Sequence, residues 1–136
     1  MQSYLYVALV TLLTAAVYFW MATQVARTRQ KVGILAPVMT GDPTLERTIR
    51  AHLNTLEWLP IFLPSLWLFA IYWNSNVAAS LGLVWLVGRI VYFVGYVSEA
   101  RKRFPGFFIQ SCAAALLLIG AIGRIAYLAW FADVVR

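Results

Sequence analysis

The chain has 136 residues, room for one domain, and 62% of them are hydrophobic while only 12% are charged. Soluble domains carry about a quarter charged residues, so the composition excludes an ordinary water-soluble globule and predicts an integral membrane protein. The net charge of +6 comes from basic residues at the ends of oily runs and inside them rather than from one tract, which argues against a nucleic-acid partner.

From Met1 to Ala26 no side chain is charged, and Arg27, Arg29 and Lys31 follow the apolar run. At about 1.5 Å per residue this stretch crosses a hydrocarbon layer of about 30 Å, which predicts a first span over residues 3–26. A signal peptide carries its positive charges before the apolar run, so this segment reads as a span with its N-terminus outside. The polar loop that follows ends in Gly41-Asp42-Pro43, an N-cap residue and a first-turn proline, and predicts a second helix over 43–73. Such a helix is about 45 Å long, more than the hydrocarbon layer needs, so Glu46, Arg47 and Arg50 are expected in the headgroup region or the cytosol. Pro60 and Pro64 are expected to kink it and open space beside its polar face.

The uncharged turn Trp73-Asn74-Ser75-Asn76 leads to a third span over 77–101. Glu99, Arg101, Lys102 and Arg103 then form a second basic connection, closed by Phe104-Pro105-Gly106. The fourth span is predicted over 106–132, with Gly120 and Gly123 allowing close helix approach and Arg124 snorkelling to the far interface. The positive-inside rule places both basic connections in the cytoplasm and both termini outside, periplasmic or lumenal. The expected architecture is all-α: one domain over 1–136, an integral membrane four-helix bundle.

Charge inside the oily helices points to a site. Arg50, Asn54 and Glu57 lie at i, i+4 and i+7, one helix face; Arg89, Tyr92 and Tyr96 lie at i, i+3 and i+7, with Arg103 seven residues further. A charged side chain at mid-membrane costs about 3 kcal/mol, so these faces must meet something polar. Pairing Glu57 with Arg89, Asn54 with Tyr92 and Arg50 with Tyr96 gives three rungs of constant offset in an antiparallel hairpin, so both stripes belong to one site. Taken singly, each residue reads as well as interhelical glue. As a set, the cations Arg50, Arg89 and Arg103 exceed the carboxylate Glu57 and leave room for an anion, so Arg89 too is expected among the ligand-binding residues.

A ligand with carboxylates, an ammonium and an ionisable thiol suits these charges, with Glu57 for the ammonium and Arg103 at the cytoplasmic mouth for a thiolate. Glutathione fits, as does any small zwitterionic anion. His52 points about 200° away from Arg50, so the second helix is polar on two sides and one hairpin partner cannot cover both, which favours an oligomer. One histidine, the single Cys112 and scattered carboxylates offer no metal site and no intramolecular disulfide.

The pattern Glu46-Arg47-x-x-Arg50-Ala51-x-x-Asn54-x-x-Glu57 with Pro60, together with Arg89-x-x-Tyr92-Phe93-x-Gly95-Tyr96 and Arg103, resembles the MAPEG family, membrane-associated proteins in eicosanoid and glutathione metabolism. The resemblance covers nearly the whole chain, and the segment from Gly95 to Arg103 is most similar to the type 2 microsomal glutathione S-transferase branch. It implies a homotrimer with glutathione bound between protomers near the cytoplasmic side. It implies contacts from Arg50, Asn54, Glu57, Tyr92, Tyr96 and Arg103, with Arg103 activating the sulfur, and from Arg29 and His52 of the neighbouring protomer. The activity expected is conjugation of glutathione to lipophilic electrophiles, with reduction of lipid hydroperoxides as a second reaction. Two alternatives share the topology: a non-catalytic lipid-binding scaffold, and a small multidrug transporter built around Glu57.

Overall fold

A computed structural model describes residues 4–134. Four helices follow in chain order, α1 (Leu5–Val32), α2 (Pro43–Tyr72), α3 (Ser75–Ser98) and α4 (Phe104–Val134), with a 3-10 turn at Ala100–Arg103 before α4. Among the described residues there is no strand. The predicted first residue of span one and both chain termini lie outside the described residues.

α1 does not stop at Ala26, where its charge-free stretch ends. It runs on through Arg27, Arg29 and Lys31 because these are good helix formers and because cations in a last turn complement the helix dipole. Gly33 ends it at φ 72°, donating its N–H to the Arg29 carbonyl. α2 starts as expected: the Asp42 carboxylate accepts from the Leu45 N–H at 2.9 Å, and Glu46 Oε1 accepts from the Gly41 N–H at 3.0 Å. Asp42→Ala is expected to cost about 1 kcal/mol, read as a lower thermal midpoint in detergent; an unchanged midpoint would show that this cap contributes nothing. α3 begins two residues before the predicted span because Asn74 Oδ1 accepts from the N–H groups of Asn76 and Val77, both at 3.0 Å. α4 begins at Phe104, with Pro105 in the first turn, where its missing N–H has no partner to lose.

Pro60 and Pro64 are accommodated inside an uninterrupted α2. The cavity they border is an apolar groove of about 570 Å³ against Leu118, Ile122 and Ile125 of α4. α1 and α4 each pack on both α2 and α3. At the centre the rings of Phe62 and Trp85 stack at 3.9 Å and 6°, surrounded by Leu66, Phe69 and Leu117. A smaller cluster of Met21, Ala51, Tyr92 and Phe93 lies apart from it, on the side of the basic connections. Buried hydroxyls are satisfied within their own helices, as Thr14 on Val10 and Thr48 on Thr44 show at 2.8 and 2.7 Å. Trp67 Nε1 donates across to Thr11 Oγ1 at 3.1 Å, tying α2 to α1.

The outer surface carries Leu12, Phe19, Ile119 and Trp130, all well exposed. That girdle suits acyl chains rather than water. All four helices are long and apolar enough to cross a bilayer, the arrangement of a multi-pass integral membrane protein. Arg124 Nε donates to the Tyr72 carbonyl at 3.2 Å, closing the C-terminal end of α2. Gly120 permits close approach as expected, since a Cβ there would lie 2.6 Å from the Phe69 ring of α2, whereas a Cβ on Gly123 would meet nothing within 4 Å; backbone meets backbone where Gly88 of α3 faces Gly106 of α4.

Candidate functional site

The site is assembled at the end of the bundle that carries the basic connections. Arg47, one turn into α2, donates through Nε to the Val97 carbonyl at 3.1 Å, which fixes the start of α2 against the last turn of α3. Between these helices and α4 lies a cavity of about 340 Å³ lined by Arg50, Asn54, Tyr92, Tyr96, Arg103, Phe104 and Phe107. α2 supplies Arg50 and Asn54, α3 the two tyrosines, the 3-10 turn Arg103 and the first turn of α4 the two phenylalanines.

The charges are arranged unevenly. Arg50 Nη1 and Glu57 Oε1 are 3.4 Å apart, and both side chains are more than half exposed, so this pair is easily exchanged for a ligand. Glu57 Oε2 accepts from Asn54 Nδ2 at 3.0 Å. The Arg103 guanidinium lies 4.9 Å from the centre of the Tyr96 ring, and among the described residues no carboxylate pairs with it. The Tyr92 and Tyr96 rings are 5.6 Å apart, and Phe107 bridges from Tyr92 at 6.3 Å to Trp58 at 6.0 Å. One wall of the cavity is therefore cationic and phenolic, the other aromatic and apolar.

Arg89 lies behind this wall, fully buried. Its Nη2 donates to Asn54 Oδ1 at 2.7 Å, its Nε to Thr55 Oγ1 at 2.9 Å and its Nη1 to Gln110 Oε1 at 3.1 Å. The hydrogen-bonded partners across the hairpin are thus Asn54 and Thr55 rather than the Glu57 that constant-offset rungs predict. The rung scheme considers two helices, whereas Arg89 is drawn by acceptors on α2 and α4 together. Its guanidinium also sits 4.2 Å from the centre of the Tyr92 ring.

Two further candidates stand apart from the cavity. Arg29, in the last turn of α1, donates to the carbonyls of Val38 and Ile34 in the following loop. His52 stacks on Tyr18 of α1 at 4.5 Å and 18°, and its buried Nε2 has no hydrogen-bond partner among the described residues. The structure therefore brings Arg50, Asn54, Tyr92, Tyr96 and Arg103 around one cavity and links Glu57 and Arg89 to it through Asn54. Spacing arguments missed Phe104, Phe107, Thr55 and Gln110. For Gln110 a signal existed, since an amide in the apolar opening of a membrane helix demands a partner.

Four apolar spans with a cation-rich, phenol-lined cavity at one end describe a multi-pass membrane protein with a pocket suited to an anion. The sequence profile of the MAPEG family matches residues 7–132, and the chain belongs to that family. It is 46% identical to an uncharacterized protein of Synechocystis sp. over 118 residues, 87% of this chain and 86% of that protein. It is 42% identical to microsomal glutathione S-transferase 2 of Homo sapiens over 117 residues, covering 85% and 80% of the two chains. To leukotriene C4 synthase of Cavia porcellus it is 37% identical over 124 residues, covering 91% and 81%.

Proposed function

We propose that the chain is a membrane glutathione S-transferase that conjugates glutathione to lipophilic electrophiles, works as a homotrimer and opens its pocket to the cytoplasm. The observation that carries this reading is Arg103, which among the described residues has no carboxylate partner, held over Tyr96 in a cavity also lined by Phe104 and Phe107. The family and the transferase relatives support it. Glutathione presents two carboxylates, an ammonium and a thiol; Arg50 suits a carboxylate, Glu57 the ammonium and the tyrosines and Asn54 the intervening polar groups. Arg103 stabilises the thiolate, which is the nucleophile. Sulfur attacks the electrophilic carbon, the S–C bond forms, the leaving group departs with its electron pair and the thiol proton passes to water. The aromatic wall receives the oily second substrate from the bilayer. The same thiolate serves lipid hydroperoxide reduction, in which two glutathiones become the disulfide while the hydroperoxide becomes alcohol and water.

The trimer and the roles of Arg29 and His52 of a neighbouring protomer rest on the family alone; within the chain α1 already covers the second polar side of α2, where His52 stacks on Tyr18, and Arg29 is held by carbonyls of the loop after α1. The test uses the protein in detergent. Glutathione resin retains it, added glutathione produces thiolate absorbance and a chlorinated nitrobenzene is conjugated. Retention without turnover would instead favour a binding scaffold, and no retention would remove glutathione from the account.

A further inference from the structure

Resting on the transferase reading, we propose that Arg89 is a positioning residue: clamped by Thr55 and Gln110, it locks the Asn54 amide with its NH2 toward Glu57 and the pocket, and does not itself touch glutathione. The donor and acceptor chemistry forces this orientation. A guanidinium only donates and a carboxylate only accepts, so the group placed between Arg89 and Glu57 must show oxygen to one and nitrogen to the other. Asn54 does so, accepting at 2.7 Å and donating at 3.0 Å. Its second amide hydrogen is left for an acceptor in the cavity it lines.

The clamp is as strictly ordered as the amide. The one hydrogen of Thr55 Oγ1 goes to the Ala51 carbonyl at 2.9 Å or to Met21 Sδ at 3.4 Å, and either choice leaves a lone pair for Arg89 Nε. Gln110 Nε2 donates to Ser111 Oγ at 3.1 Å, which turns its carbonyl oxygen to Arg89 Nη1. Arg89, Thr55 and Gln110 are all buried, so each lost partner would leave a polar group unsatisfied away from water. The Asn54 amide links the buried cation to the Glu57 carboxylate. Loosening Arg89 therefore frees Asn54 to flip, which would present an oxygen to Glu57 and to an anionic ligand. The consequence falls on glutathione binding rather than on the sulfur, which belongs to Arg103.

The experiment begins with the parent protein, whose failure to bind glutathione would overturn the transferase reading and this one with it. With binding established, Gln110→Leu is expected to raise the KM for glutathione about tenfold, while kcat and thiolate absorbance at saturating glutathione stay within about twofold. Gln110→Glu keeps an acceptor for Arg89 and is expected to restore KM to within about threefold of the parent. In an Asn54→Ala background, adding Gln110→Leu is expected to change KM less than about twofold, because the clamp then has no amide to hold. Additive effects in that background, a fall in kcat with KM unchanged, or a Gln110→Leu protein with the parent KM would each overturn the assignment. Should Gln110→Leu fail to fold, Thr55→Val removes the second acceptor at nearly constant shape, and the same readings decide.

Discussion

Arg103→Ala is expected to abolish the thiolate absorbance of bound glutathione and to lower conjugation at pH 7 by about 10²-fold, the scale seen when one charge-stabilising donor is removed from an active site. An unassisted thiol titrates near 8.5–9, so only a few per cent is thiolate at pH 7, and each unit of lowering raises the scarce form about tenfold. Arg103 is suited to that task because no carboxylate competes for it among the described residues and its planar guanidinium rests on the Tyr96 ring. If Arg103 stabilises the thiolate as proposed, the sulfur is expected to be ionised above a depressed pKa and the rate to be already on its plateau at pH 7. Without it the rate climbs with pH until the ordinary thiol range is reached, and the deficit narrows toward pH 9. Arg103→Lys keeps a charge but not the planar stacking group and should fall between the two. A variant that loses rate equally at every pH while keeping its thiolate signal would move Arg103 from sulfur activation to ligand positioning.

The helices were legible because local chemistry decides them. Asp42 accepts from a free N–H where α2 starts, as its place before Pro43 predicts, whereas the Asn74 cap and the Gly33 stop escaped because charge and hydropathy rather than caps set the bounds of spans one and three. The polar stripes were legible because 3.6-residue periodicity places Arg50, Asn54 and Glu57 on one face without knowledge of a partner. Which partner each side chain takes was not. Arg89 is satisfied by residues 34 and 35 positions before it and 21 after it, and its choice of Asn54 over Glu57 depends on Gln110 arriving from α4. Pairwise offsets between two helices cannot contain a third. The aromatic wall escaped for a related reason: Phe104 and Phe107 are unremarkable in an oily segment until the 3-10 turn folds α4 against Tyr92 and Tyr96.

Gly106→Val is expected to be the most disruptive substitution outside the cavity, costing about 3 kcal/mol or more and abolishing glutathione binding. A Cβ built on Gly106 would fall on the backbone N and Cα of Tyr92 and lie 2.6 Å from the Gly88 carbonyl oxygen. A Cβ on Gly88 would in turn lie 2.7 Å from the backbone nitrogen of Gln110. These are main-chain atoms of two packed helices, so no rotamer change relieves the overlap and α3 must separate from α4. In lipid such close packing is itself a main source of helix association, since apolar burial against acyl chains gives little. Separation also reaches the site, because Tyr92 and Phe107 line it and Gln110 holds Arg89. Gly123→Ala is the matched control on the same helix. Nothing lies within 4 Å of its added methyl group, so the better helix former is expected to leave the midpoint unchanged or raise it, by no more than about 1 kcal/mol of stability. Thermal unfolding in detergent with and without glutathione reads both; equal midpoints for the two variants would show that α3 and α4 do not depend on backbone contact at Gly106.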